Sequence, residues 1–163
     1  MKMFEPDELL LALTRAQVSF IVIGGVAVGV HGFVRATKDL DIVPDPDPEN
    51  LARLARLLVE IDAQQVGVGD FAPEEFPCDP TDPAQLAEGA NFRLETSRGP
   101  LDVMQWVSGI EGDLAYSELA RRAIVVDFRE IEIRVCELEH LRAMKRAASR
   151  PQDLEDLTRL EAG

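Results

Sequence analysis

The 163-residue chain has only two cysteines, Cys78 and Cys136, which make neither a disulfide framework nor a metal-ligand spacing. It has no long hydrophobic run. The longest nearly unbroken apolar stretch, Phe20 to Val30, is too short to span a bilayer and carries a glycine pair. The N-terminus turns acidic within eight residues and lacks the apolar core and cleavage site of a secretion signal. These absences make the cytoplasm the default expectation, with no membrane association. Positive charge is also scarce. Seventeen Lys and Arg stand against thirty Asp and Glu, for a formal charge of −13. The resulting field argues against a general nucleic-acid binder. The deficit is uneven, because residues 57–92 contain no Lys or Arg at all. The C-terminal part holds Arg134, Arg142, Lys145, Arg146 and Arg150, so a local positive site on an acidic body stays open.

The composition, 46% hydrophobic and 29% charged, is that of an ordinary globular protein. The length suits one domain over residues 1–163, with a C-terminal helical extension from about 137 to 163. Leu9, Leu10 and Leu13 share one face of a helix expected from Pro6 to Gln17. Phe20–Ile23 reads as a buried strand, apolar at every position. Gly24-Gly25 interrupts it, and Val26 to His31 reads as a short helix. A second strand, Leu40 to Val43, ends at three alternating prolines. Asp47 then caps a helix with the apolar stripe Leu51, Leu54, Leu58 and Ile61. From Gly67 to Ala90 the pattern is lost, and 69–90 reads as an acidic, proline-rich loop. Phe92–Thr96 and Leu101–Val107 read as paired strands, followed by a helix from Tyr116 to Arg122. A hairpin over Ile124–Phe128 and Ile131–Val135 precedes helices from Glu137 to Ala148 and from Pro151 to Leu160. The order implies an α+β fold: a small mixed sheet flanked by helices.

The chemistry concentrates in three places. Asp39 and Asp41 are two residues apart on an apolar segment, so in a strand they share a face. Two such carboxylates repel unless a cation or solvent compensates. Asp102 repeats the theme inside Leu101-Asp102-Val103-Met104. If the two strands are neighbours, three hard oxygen donors converge with no Cys or His nearby, a donor set for Mg²⁺ or Mn²⁺. Gly24-Gly25 lies between a buried strand and a helix, where backbone can approach a ligand and helix-start N–H groups can meet phosphate. Carboxylates holding metal opposite a phosphate cradle suit nucleotidyl transfer. Each element also has a plainer reading. Asp39 and Asp41 can be solvated strand-end acids, Asp102 an edge-strand acid and the glycines a simple turn. His31 reads as a helix-end residue, and Trp106 and Tyr116 as packing residues. An EF-hand fails because Pro44 falls where glycine is required, and the glycine spacing fits neither a Rossmann nor a Walker loop.

Gly24-Gly25, then Asp39-x-Asp41, then Asp102 on a strand resembles the DNA polymerase β-type nucleotidyltransferase superfamily. Within it, Arg35-x-Thr37-x-Asp39-x-Asp41 and the tail Met144-Lys145, Arg150, Asp153, Asp156-Leu157 look like small bacterial members, including the abortive-infection and minimal nucleotidyltransferases of toxin–antitoxin systems. The resemblance covers roughly residues 20–43, 91–107 and 138–160. It implies a nucleotidyltransferase-like core that moves a nucleoside monophosphate from an NTP to a hydroxyl, releasing pyrophosphate. It implies that Asp39 and Asp41 bind both metals and Asp102 the metal that activates the nucleophile. Gly24 and Gly25 would hold the β- and γ-phosphates; many relatives carry Ser at the second position, a hydroxyl that Gly25 lacks. Arg35, Lys38 and Lys145 are the candidates for nucleotide-phosphate charge, with Lys38 expected on the face opposite Asp39. The acceptor remains open among a tRNA end, a protein such as a toxin or antitoxin partner, and a small molecule. Two other classes stay in play: a catalytically silent, antitoxin-like binding module of the same fold, and an Asp-x-Asp glycosyltransferase.

Overall fold

The computed structural model describes residues 4–66, 75, 78–112 and 114–162. It contains α1 (Asp7–Arg15), β1 (Phe20–Ile23), α2 (Gly24–Val30), β2 (Leu40–Pro44), α3 (Pro48–Glu60), β3 (Gln64–Gln65) and α4 (Pro83–Leu86). There follow β4 (Phe92–Thr96), β5 (Gly99–Val103), α5 (Ala115–Ala120), β6 (Ile124–Phe128), β7 (Ile131–Val135), α6 (Leu138–Ala148) and α7 (Pro151–Ala162). The strands form one seven-stranded sheet in the order β3-β4-β5-β2-β1-β7-β6. It is mixed: β2 runs parallel to β5 and β1 parallel to β7, while the other neighbours are antiparallel. The expected α+β class, a mixed sheet flanked by helices, is what the chain forms.

Burial follows the apolar periodicity. All four residues of β1 are buried, as a central strand flanked by β2 and β7 requires. Leu40, Ile42, Leu101 and Val103 are fully buried and join one core with Leu9, Leu10 and Leu13 of α1 and Leu51, Leu54 and Leu58 of α3. Asp47 caps α3 by accepting from the Asn50 N–H, with Pro48 at the first helical position.

Several boundaries differ from the sequence reading. The helix after β1 begins at Gly24 rather than Val26, because Gly24 adopts φ +70° and turns the chain straight into it. The strand expected over Leu101–Val107 is β5, which starts at Gly99 and ends at Val103. Its continuation is diverted because Asn91 Oδ1 accepts from the N–H groups of Gln105 and Trp106. Part of the region expected to be irregular, 67–74, 76 and 77, lies outside the described residues. Within the rest, Asp82 caps the short α4. The two-residue β3 was not anticipated; a pair this short leaves no periodicity to read.

Asn50 fastens the approach to the sheet. Its Oδ1 accepts from Ser19 N at 2.7 Å, and its Nδ2 donates to Ser19 O and Asp45 O, each at 2.9 Å. It is 1% exposed. Asn50 thus ties α3 to the entry of β1 and the exit of β2. Asn50→Ala would remove three hydrogen bonds to the backbone of Ser19 and Asp45, each contributing about 0.5–1.5 kcal/mol. The expected loss in urea unfolding is therefore about 2–4 kcal/mol, with the slope unchanged.

Candidate functional site

The parallel pairing of β2 with β5 sets Asp41 directly beside Asp102. Residues paired across adjacent strands put their side chains on the same face. Asp39 lies in the bend just before β2 rather than on the strand, which corrects the strand-based placement of both Asp39 and Lys38. It nevertheless joins the others. One carboxylate oxygen from each of Asp39, Asp41 and Asp102 lies within 4.8 Å of the other two. Asp102 is buried, and Asp39 and Asp41 are half-buried.

The electrostatic cost is evident. The carboxyl of Asp41 is held well above its ordinary range, first by burial, then by the charges of Asp39 and Asp102 and a hydrogen bond to Asp102. Asp102 is also raised, by burial and then by Asp39, against the opposing effects of Asp41, Arg93 and Arg150. A counter-ion, Arg93, stands at the edge of the trio, with its Nε 3.9 Å from Asp102 Oδ1. Three converging oxygen donors, under-neutralised and without nitrogen or sulfur, fit a hard divalent cation such as Mg²⁺ or Mn²⁺.

Gly24 faces this trio. A Cβ on Gly24 would fall 1.9 Å from Asp41 Oδ2, so the residue must be glycine for space as well as for its positive φ. A Cβ on Gly25 would meet Thr37 Oγ1 at 2.6 Å and Arg35 Nη1 at 3.3 Å. A cleft of about 870 Å³ joins these groups. It is lined by Gly24, Gly25, Arg35, Thr37, Lys38 and the three aspartates. Lys145, Arg150 and Asp153 from the C-terminal helices form another part of its wall, beside the apolar Met104, Val107, Leu141 and Met144.

All eight residues singled out in the sequence thus reach one cleft, in different states. Lys38 is exposed and stands on the same cleft as Asp39, not on an opposite face. Arg35 is committed to Asp156, with Nε and Nη2 each 2.8 Å from a carboxylate oxygen. Lys145 is buried and held by Asp153 at 3.0 Å and Asp156 at 2.9 Å. Arg150 closes the chain of ion pairs, with Nε 2.7 Å from Asp153 Oδ2. Burial alone would raise Asp153, but bonds from Arg150 and Lys145 pull it below the usual carboxylate range. Arg35 and Lys145 do the same for Asp156. Sequence reasoning placed Asp153 and Asp156 in the tail pattern without a role. Their i, i+3 spacing, with Lys145 eight residues before the first, was the available signal.

No protein-family model matches the chain, and no curated protein matches it. Solved structures do. A lincosamide antibiotic adenylyltransferase, LnuA, with lincomycin bound, matches with a TM-score of 0.65 over 98% of both chains, at 15% identity. The fold is that of the nucleotidyltransferases. ANT(2″)-Ia in complex with adenylyl-2″-tobramycin matches with a TM-score of 0.55 over 94% of this chain and 83% of its own, at 14% identity. A Thermotoga maritima protein assigned as a nucleotidyltransferase gives 0.58 over 96% and 94%, at 16% identity.

The Lys145 network yields a stability test. Removing one partner of a buried ion pair costs about 3–5 kcal/mol, so Asp156→Asn should lower unfolding free energy by that order at pH 7. Because the folded-state pKa of Asp156 is depressed, its contribution is fully present above the unfolded value of about 3.9 and disappears as pH falls through the lower folded value. The gap between wild type and Asp156→Asn in denaturant titrations should therefore narrow from pH 7 to pH 3.

Proposed function

We propose that the chain is a metal-dependent nucleotidyltransferase, which moves a nucleoside monophosphate from an NTP to an acceptor hydroxyl and releases pyrophosphate. The observation that carries this reading is the convergence of Asp39, Asp41 and Asp102 opposite Gly24 in one cleft. The nucleotidyltransferase fold supports it. The three carboxylates would hold Mg²⁺ or Mn²⁺. Bound there, the metal would supply Lewis-acid stabilisation of phosphate charge and lower the pKa of the attacking hydroxyl.

The chain's own residues divide the remaining work. The backbone at Gly24 and Gly25 would receive the β- and γ-phosphates, with no side chain to obstruct close approach. Lys38, carrying no carboxylate partner among the described residues, and the guanidinium of Arg35 would offset triphosphate charge. Lys145, buried within this wall, supports it. With Asp153 and Asp156 satisfied, its charge fixes the two acids that orient Arg150 and Arg35. Its role is thereby shifted from phosphate ligand to anchor of the phosphate-facing cations.

For the acceptor, the cleft favours a small hydroxylated molecule. Its volume lies within the range typical of small-ligand pockets, and Met104, Val107, Leu141 and Met144 offer apolar contact next to the acids. Two structural neighbours carry antibiotic ligands, lincomycin and adenylylated tobramycin, which supports the same class. A tRNA end or the hydroxyl of a toxin or antitoxin partner is the acceptor that a toxin–antitoxin setting would require. Incubation with each radiolabelled NTP and a cell extract, followed by separation into small molecules, RNA and protein, identifies the acceptor. Label in the small-molecule fraction is expected.

Asp41→Asn should reduce transfer by at least about 10³-fold, since metal-assisted charge stabilisation is lost. The same change removes repulsion. In EDTA the variant should melt at or above the wild-type temperature, and Mg²⁺ should raise only the wild-type midpoint. Full activity in the folded variant would refute the metal-site assignment.

A further inference from the structure

We propose that the hydroxyl of Thr37 is a nucleotide-phosphate donor, and that residue 25 is glycine because Thr37 occupies the place its side chain would take. This deepens the nucleotidyltransferase reading and rests on it. A Cβ on Gly25 would lie 2.6 Å from Thr37 Oγ1, closer than real Cβ contacts come, and 3.0 Å from Thr37 Cβ, a tight contact. Backbone strain does not demand glycine there, since Gly25, unlike Gly24, has no positive φ. Packing by Thr37 does. The segment 35–39 has therefore folded over bare backbone, and Thr37 and Arg35 together cover it. Both line the cleft that holds the three aspartates.

The chemistry suits an anion. Arg35 Nη1 would lie 3.3 Å from the same Cβ position, so a hydroxyl and a guanidinium meet at one point. The hydroxyl donates to Asp39 O at 3.1 Å, long for an O–H···O bond, where 2.7–2.8 Å is usual. Rotation about one bond would redirect it from that weak acceptor to a charged phosphate oxygen, a stronger one. Thr37 is half-buried, so the donor is set in place before the ligand arrives.

The competing role is structural: Thr37 could serve only to hold Asp39 through its carbonyl. Moving the hydroxyl separates the two. Binding of the α,β-methylene analogues of ATP, GTP, CTP and UTP with Mg²⁺ is measured by calorimetry, using the one that wild type binds best. Thr37→Val should weaken binding about tenfold or more, as expected for a lost hydrogen bond to a charged group, and Thr37→Ser should stay close to wild type. Thr37→Gly should weaken it likewise. Gly25→Ser in the Thr37→Gly background places a hydroxyl across the same gap and should recover most of the loss. Gly25→Ser alone, which collides with Thr37, should not bind better than wild type.

Melting curves with Mg²⁺ but no nucleotide give the second readout. The metal-induced rise should persist in Thr37→Val, because the hydroxyl is not a metal ligand. Loss of that rise, wild-type analogue affinity in Thr37→Val, or failure of the double variant to recover binding would each overturn the proposal. If Thr37→Val does not fold, the Thr37→Gly pair with and without Gly25→Ser decides. Should wild type itself bind none of the four analogues, the nucleotidyltransferase reading falls, and this inference with it. A binding wild type with an indifferent Thr37→Val removes the inference alone.

Discussion

The parallel pairing of β2 with β5 is the constraint on which the site depends. In that register Asp41 and Asp102 are neighbours on one face of the sheet, while Leu40, Ile42, Leu101 and Val103 alternate into the core. A slip of one residue on either strand would bury an acid among leucines and expose an isoleucine or valine. The hydrophobic pattern therefore fixes the position of the charges. Core burial forces together two carboxylates that would otherwise separate, and burial with mutual repulsion holds both above their ordinary range. A cation among these carboxylates would relieve their repulsion, which would couple folding to cation affinity through one register.

A second layer stands on the first. The described C-terminal helices do more than extend the chain. Asp153 and Asp156 of α7 hold Lys145 of α6 and reach Arg35, more than a hundred residues earlier in the chain. Buried pairs of this kind offset their desolvation cost only when the geometry is right, so they discriminate strongly against alternative placements of α7. The two aspartates act less as cement than as a jig. They hold guanidinium groups beside a cleft, Asp153 from within its wall and Asp156 with no exposed surface.

The acid trio was legible because Asp41 and Asp102 interrupt apolar runs, with Asp39 two residues before the first, and a charge in an apolar strand requires a reason. The glycine pair was legible as a break after a wholly apolar strand. Other features carried no local mark. Asn50 looks like any helix-start polar residue, and only the fold shows it bridging Ser19 and Asp45. The early end of the strand near Val103 depends on Asn91, more than ten residues upstream. Lys145 reads in the sequence as a candidate for phosphate charge, not as a buried ion-pair partner. What hides it from water is α7, whose approach is a tertiary fact. The steric exclusion between Gly25 and Thr37 likewise joins residues twelve apart through a loop whose path no periodicity predicts.

The net charge of −13 was the strongest argument against a phosphate ligand, and the arrangement of the cleft answers it. Arg35, Lys38, Arg93, Lys145 and Arg150 all line this one cavity. At physiological ionic strength exposed charges more than about 8 Å apart are largely screened, so the distant acids act weakly at the site. A divalent metal on the trio would remove further negative charge there. The charge that would matter to a triphosphate is then local, set by the exposed Lys38 and by the guanidinium groups that Asp153 and Asp156 orient, within a molecule whose average charge is strongly negative. Average charge governs encounters at long range, and the wall of the cleft governs what stays bound.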